Sequence, residues 1–135
     1  MIRISEDAIG APVRTPETAA FWEAANEQRL LYAKCQDCGE PHYYPRRICP
    51  FCFSMRVDWK DASGLATLYA FSLSRKGRPP YVLAWVTLDE GVTIMTNITD
   101  CDAEALRIDD RVKVVFKAAA DDSLVPLFKP VQSPS

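Results

Sequence analysis

Cys35-Gln36-Asp37-Cys38-Gly39 and Cys49-Pro50-Phe51-Cys52 are two Cys-x-x-Cys turns separated by ten residues. Each spacing lets one tight turn present two thiolates to a single ion with backbone N–H groups facing the sulfurs, and two such turns close a tetrahedron. Gly39 supplies the positive φ that the first turn requires, and Pro50 stiffens the second. The interval is shorter than the roughly 15–20 residues usual between such pairs, but a short hairpin bridges it. Soft four-sulfur ligation suits zinc or a single iron. Zinc is expected at Cys35, Cys38, Cys49 and Cys52, because nothing else in the chain points to electron transfer. Four thiolates leave no position for water, so the ion is structural, holding a segment with too little apolar core to fold alone. Disulfides are the competing use of these cysteines in an oxidising compartment, and Cys101 is left over in either case.

Working outward, Leu30 and Tyr32 alternate as in a strand that delivers the chain to Cys35, and Ile48 does the same before Cys49. This is a zinc-ribbon layout. Upstream, Thr15 is expected to cap a helix whose first residue is Pro16, with Glu17 in the acidic first turn and Phe21 and Ala25 on one face. Phe21 and Trp22 carry more apolar surface than a lone helix tolerates in water, so at least one packs on the chain or on a partner.

Downstream the pattern has period two. Leu65, Thr67, Tyr69, Phe71 and Leu73 are expected on one face of a strand opened by Gly64, followed by Val82, Ala84, Val86 and Leu88. Asp89-Glu90-Gly91 is a turn, and then come Val92, Ile94, Thr96 and Ile98; Val112, Val114 and Phe116; and Val125 with Leu127. Five short strands, with a helical turn around Ala103, Leu106 and Ile108 between the third and the fourth, fit a five-stranded OB-type barrel. The expected fold is mainly β: an N-terminal helical segment (1–33), a zinc ribbon (34–58) and a C-terminal OB-fold domain (59–135). The tail after Pro130 is expected to fray.

The chain has 135 residues, 48% of them hydrophobic and 25% charged, with a formal charge of −2. These values fit one small domain or two modules on one core and exclude a large multidomain enzyme. The slightly acidic balance argues against DNA binding, so any anion must be met by a local cation cluster. No apolar run has signal-peptide or membrane-span length, and a cytoplasmic location is expected.

Catalytic parts are missing. His42 is the only histidine, has no Ser-His-Asp arrangement around it, and reads as a surface group or one packed around the metal turns. The carboxylates of Asp100 and Asp102 disfavour a thiolate at Cys101. No GxGxxG, P-loop or HExxH occurs, and Asn97-Ile98-Thr99 is a sequon of a kind common by chance. More informative is Ser74-Arg75-Lys76-Gly77-Arg78-Pro79-Pro80-Tyr81, whose three cations suit a phosphate. Arg46 and Arg47 add two more beside Tyr43, Tyr44, Phe51 and Phe53. Phosphates next to an aromatic platform suit a nucleotide-containing ligand; the alternative is a solvated loop with aromatics packing locally around the metal.

Phe21-Trp22, Cys35-x-x-Cys38-Gly39, Tyr44-Pro45-Arg46, Cys49-Pro50-x-Cys52, Pro80-Tyr81-Val82, Asp89-Glu90-Gly91 and Asn97-Ile98 together resemble the DUF35 family of zinc-ribbon plus OB-fold proteins. The resemblance covers nearly the whole chain. It implies a non-catalytic accessory subunit, working with a thiolase-superfamily protein or a related acyl-CoA enzyme whose own residues perform the chemistry. It also implies that CoA is a candidate ligand, which assigns Arg46, Arg75, Lys76 and Arg78 to its phosphates by charge, and Phe21, Trp22, Tyr44 and Phe51 to the partner. A single-stranded nucleic-acid binder using the OB face is the alternative, and a rubredoxin-like redox module a third.

Overall fold

Ala19 to Asn26 form the helix, α1. The computed structural model describes residues 3–4, 16, 18–42, 48–74 and 80–131. The helix starts later than the Thr15–Pro16 expectation: Pro16 lies in a turn, Thr18 takes the cap position, and Thr15 and Glu17 fall outside the described residues. Thr18 is an equally suitable cap type, and its carbonyl accepts the first helical bond from Trp22. At the other end Gln28 adopts φ 61°, and the N–H groups of Gln28 and Arg29 return to the carbonyls of Ala25 and Ala24, the closure typical of a helix C-terminus. Phe21, Ala24 and Ala25 form the buried face.

The ribbon is a three-stranded antiparallel sheet in the order β3-β2-β4, from β2 (Leu31–Cys35), β3 (Pro41–His42) and β4 (Val57–Asp61). Leu31, Ala33 and Cys35 point inward, so the alternation has the phase opposite to the Tyr32 reading, although Leu30 is buried as well at the exit from α1. Alternation with period two cannot hold Tyr32 and Cys35 on the same side, and the sulfur must face the cluster. Ile48 lies in an exposed bend rather than a strand.

The remaining strands close a five-stranded barrel in the order β10-β7-β6-β5-β9. They are β5 (Leu65–Ser74), β6 (Tyr81–Leu88), β7 (Thr93–Ile98), β9 (Arg111–Ala118) and β10 (Leu124–Pro130). Ala66, Leu68, Val82, Ala84, Val86, Leu88, Ile94, Ile98, Val112 and Phe128 fill the interior. The expected face of β5 is not a single face. A bulge between Leu68 and Ala70 shifts the register, so Ala66 and Leu68 point inward before it and Phe71 and Leu73 pack toward the core after it, while Leu65 and Tyr69 are exposed. A short β8 (Cys101–Asp102) and a 3₁₀ turn at Ala103–Ala105 occupy the place of the expected helical turn, with the Asp102 carboxylate accepting from the Glu104 N–H. N-terminal β1 (Arg3–Ile4) pairs with β8, which seats Ile4 against Cys101, both buried.

The helix joins the two halves. Its buried face packs on β10, and the Asn26 side-chain oxygen accepts a 2.9 Å bond from the Leu124 N–H. Among the described residues, no helix is long and apolar enough to cross a membrane.

Candidate metal centre

The two cysteine turns are copies of one another. Gly39 donates to the Cys35 carbonyl at 3.0 Å and Phe53 to the Cys49 carbonyl at 2.9 Å. The N–H groups of Asp37 and Phe51 each lie 3.4 Å from the sulfur of the first cysteine of their turn. The Cys35 N–H reaches the Glu40 carbonyl, as the Cys49 N–H reaches that of Ser54. β2 delivers Cys35, and the Ser54 hydroxyl at the end of the second turn donates to Asp37 of the first, while Arg56 donates to Asp37 and Gln36.

All four sulfurs lie within 4.8 Å of one another, and the Cys35–Cys52 and Cys38–Cys49 pairs are 3.6 Å apart. None is disulfide-bonded. A tetrahedron with Zn–S bonds of about 2.3 Å has sulfur–sulfur edges of about 3.8 Å, so the spacing fits one zinc ion. The electrostatics fit as well. N–H donation from Cys38 outweighs burial and holds the Cys35 thiol down at about 6. At Cys38 the Glu40 N–H acts the other way from burial and the three neighbouring sulfurs, which together push the thiol up to about 12, and Cys52 is likewise raised. Four thiolates this close repel one another unless a cation sits among them. The ion has a structural role: closed four-sulfur coordination supplies no open position for chemistry.

The other residues singled out from sequence are spread over the molecule. Tyr43, Tyr44, Arg46, Arg47, Arg75, Lys76 and Arg78 lie outside the described residues. Phe21 is 3% exposed and meets Trp22 edge-to-face at 5.0 Å, whereas Trp22 is partly exposed. Phe51 is exposed on the second metal turn. His42 is buried on β3 opposite Ala33 rather than on the surface. Sequence periodicity missed one surface altogether. Trp85 and Met95 pair directly across β6 and β7 on the outside of the barrel, with exposed Tyr69 at the bulge beside them. Arg111, at its edge, is engaged by Asp89 and Thr67.

Comparison with known proteins agrees with this architecture. The description "ChsH2, rubredoxin-like zinc ribbon domain" matches residues 22–58, and "ChsH2, C-terminal OB-fold domain" matches residues 59–117. A DUF35 domain-containing scaffold protein of Methanothermobacter thermautotrophicus is 30% identical over 114 residues, which is 78% of this chain and 86% of that one. The chain belongs to the DUF35 family. A probable enoyl-CoA hydratase alpha subunit of Thermomonospora curvata is also 30% identical, over 82% of this chain but only 37% of its own length. Among solved structures, an Ltp2-ChsH2(DUF35) aldolase chain superposes with a TM-score of 0.79 and 28% identity, covering 90% of this DUF35 protein and 100% of that chain.

Proposed function

We propose that this DUF35 protein is a non-catalytic, zinc-containing accessory subunit of a thiolase-like acyl-CoA enzyme that transfers, condenses or cleaves acyl groups. It stabilises the partner and helps to bind CoA. The observation that carries the reading is the closed four-sulfur centre, which supports a scaffold rather than a reaction site. The likeness to scaffold proteins and to a chain from an aldolase complex supports the same role. Segments 1–33, 34–58 and 59–135 serve as linker helix, ribbon and barrel. Cys35, Cys38, Cys49 and Cys52 hold the zinc. Arg46, Arg75, Lys76 and Arg78 meet the CoA phosphates, the last three lying in sequence between Ser74 of β5 and Tyr81 of β6, which pair with each other. Trp22, Tyr44 and Phe51 touch the partner, with Phe21 supporting Trp22 from beneath. The nucleic-acid alternative is disfavoured by the formal charge of −2, since backbone binding depends on an excess of cations beside the stacking platform.

Co-expression with a thiolase-like protein from the same organism is expected to yield a stable hetero-oligomer, with the partner alone weakly active or insoluble. Separate elution, with activity unchanged by this chain, refutes the reading. Steep salt-dependent binding of a labelled oligonucleotide supports the alternative.

A further inference from the structure

The second metal turn carries residues that metal binding does not explain. Its backbone repeats the hydrogen bonds of the first turn, yet where the first has Asp37 and Gly39, the second has Phe51 and Phe53. Gly39 has φ 76° and Phe53 has φ 62°, so an aromatic residue occupies a left-handed position that the first turn fills with glycine. An L-residue is strained there, and an outlier that persists is a starting point for a functional reading. The strain brings no packing in return. Phe53 is 78% exposed, Phe51 60%, Met55 74% and Ile48 47%. Shielding of the sulfurs is no explanation for rings left this bare. The first turn shows the polar solution: Gln36 and Asp37 are hydrogen-bonded to Asp58, Ser54 and Arg56.

These four side chains expose roughly 500 Å² of apolar surface within eight residues, near the largest patch usual on a monomer. The composition is that of an interface centre, with aromatic residues and methionine and no charge. The turn that carries these side chains is pinned by backbone bonds on both sides of Phe53, so little order is lost on docking. A knob needs a recess. One recess among the described residues, about 350 Å³ between α1 and the ribbon sheet, sets the charged side chains of Glu23, Glu27, Arg29 and Asp61 beside Ala20, Ala24, Leu31 and Trp59, a lining too polar to match an uncharged aromatic knob from a second copy. An isologous pairing of two knobs also buries less than the roughly 800 Å² per partner of a stable interface.

We propose that Ile48, Phe51, Phe53 and Met55 form a preorganised aromatic knob that inserts into an apolar recess on the acyl-CoA enzyme partner. The knob rests on the accessory-subunit reading and deepens it by naming the surface. Phe51→Asp/Phe53→Gly gives the second turn the residues of the first, and Met55→Ser removes apolar surface outside the metal turn. Each is compared with the unaltered zinc-loaded chain for zinc stoichiometry, thermal midpoint, and affinity for the co-expressed thiolase-like protein. The double variant is expected to keep one zinc per chain and to bind the partner at least about thirtyfold more weakly, as when an aromatic anchor is removed. Met55→Ser is expected to weaken it about fivefold. Binding of both variants within about twofold of the unaltered chain overturns the knob while leaving the subunit reading intact. If the unaltered chain fails to bind that partner, both fall. Two other results also overturn it: a dimer of the unaltered chain that the variants dissociate, or binding to phosphatidylcholine–phosphatidylglycerol vesicles that the variants lose.

Discussion

Gly39 and Gly64 both adopt positive φ, 76° and 85°, but their surroundings differ. A Cβ at Gly39 meets nothing within 4 Å, whereas at Gly64 it falls 2.7 Å from Val114 Cγ1 inside the barrel. Gly39→Ala therefore carries only the backbone penalty, about 1–2 kcal/mol. Gly64→Ala carries a similar penalty plus the cost of displacing a branched side chain on β9, about 1–3 kcal/mol more. Urea unfolding of the zinc-loaded chain is expected to rank them unaltered, Gly39→Ala, Gly64→Ala in falling order of stability. Equal losses would show that Val114 yields freely.

Single residues also tie elements together, most clearly where Arg111 at the start of β9 grips Asp89 after β6 through two bonds of 2.8 and 2.9 Å. The same guanidinium donates to Thr67 on β5, so one side chain spans three elements of the barrel end. The Arg111 hydrogen bonds hold the Asp89 carboxyl below its ordinary value. A depressed carboxylate stabilises the fold at pH values above the unfolded carboxylate range near 4, and this contribution is lost as pH falls through the lower folded value. Asp89→Asn is expected to be less stable than the unaltered chain at pH 7 and to lose less on acidification from pH 5 to 2.5, as urea midpoints would show. Parallel acid curves would leave the pair without a role in stability. At this scale the sequence was legible where one rule governed. Val82 to Leu88 and Ile94 to Ile98 read correctly as barrel strands because each has one buried face. The reading failed at β5, where a bulge adds a residue that alternation cannot register, and at Ile48, where metal-turn geometry overrides strand propensity. The four cysteines were visible from spacing alone. Phe53 is legible in the sequence only as a neighbour of a cation cluster, and Phe51 as that and as a partner contact, because how bare the two rings are belongs to the tertiary structure.

Across the molecule, two different stabilising principles meet at α1. The barrel closes on ten buried apolar side chains distributed over its strands, enough to fold by burial. Among the described residues of the ribbon, Leu31, Ala33 and His42 are buried and Tyr32 and Trp59 partly covered, a small core beside the barrel's, so the ribbon's order depends on the ion. Between them, α1 places Phe21 and Ala24 in the shared core and bonds Asn26 to Leu124 of β10. Removing zinc with a chelator under reducing conditions is thus expected to act on one side of this junction. Hydrogen exchange should accelerate at Leu31–Cys35 and Val57–Asp61, while β6 and β7 keep their protection and the helix, held by β10, is affected less than the ribbon. Simultaneous loss of protection in β6 would show instead that ribbon and barrel unfold as one cooperative unit, and that the zinc supports the barrel through α1 as well as the turns that ligate it.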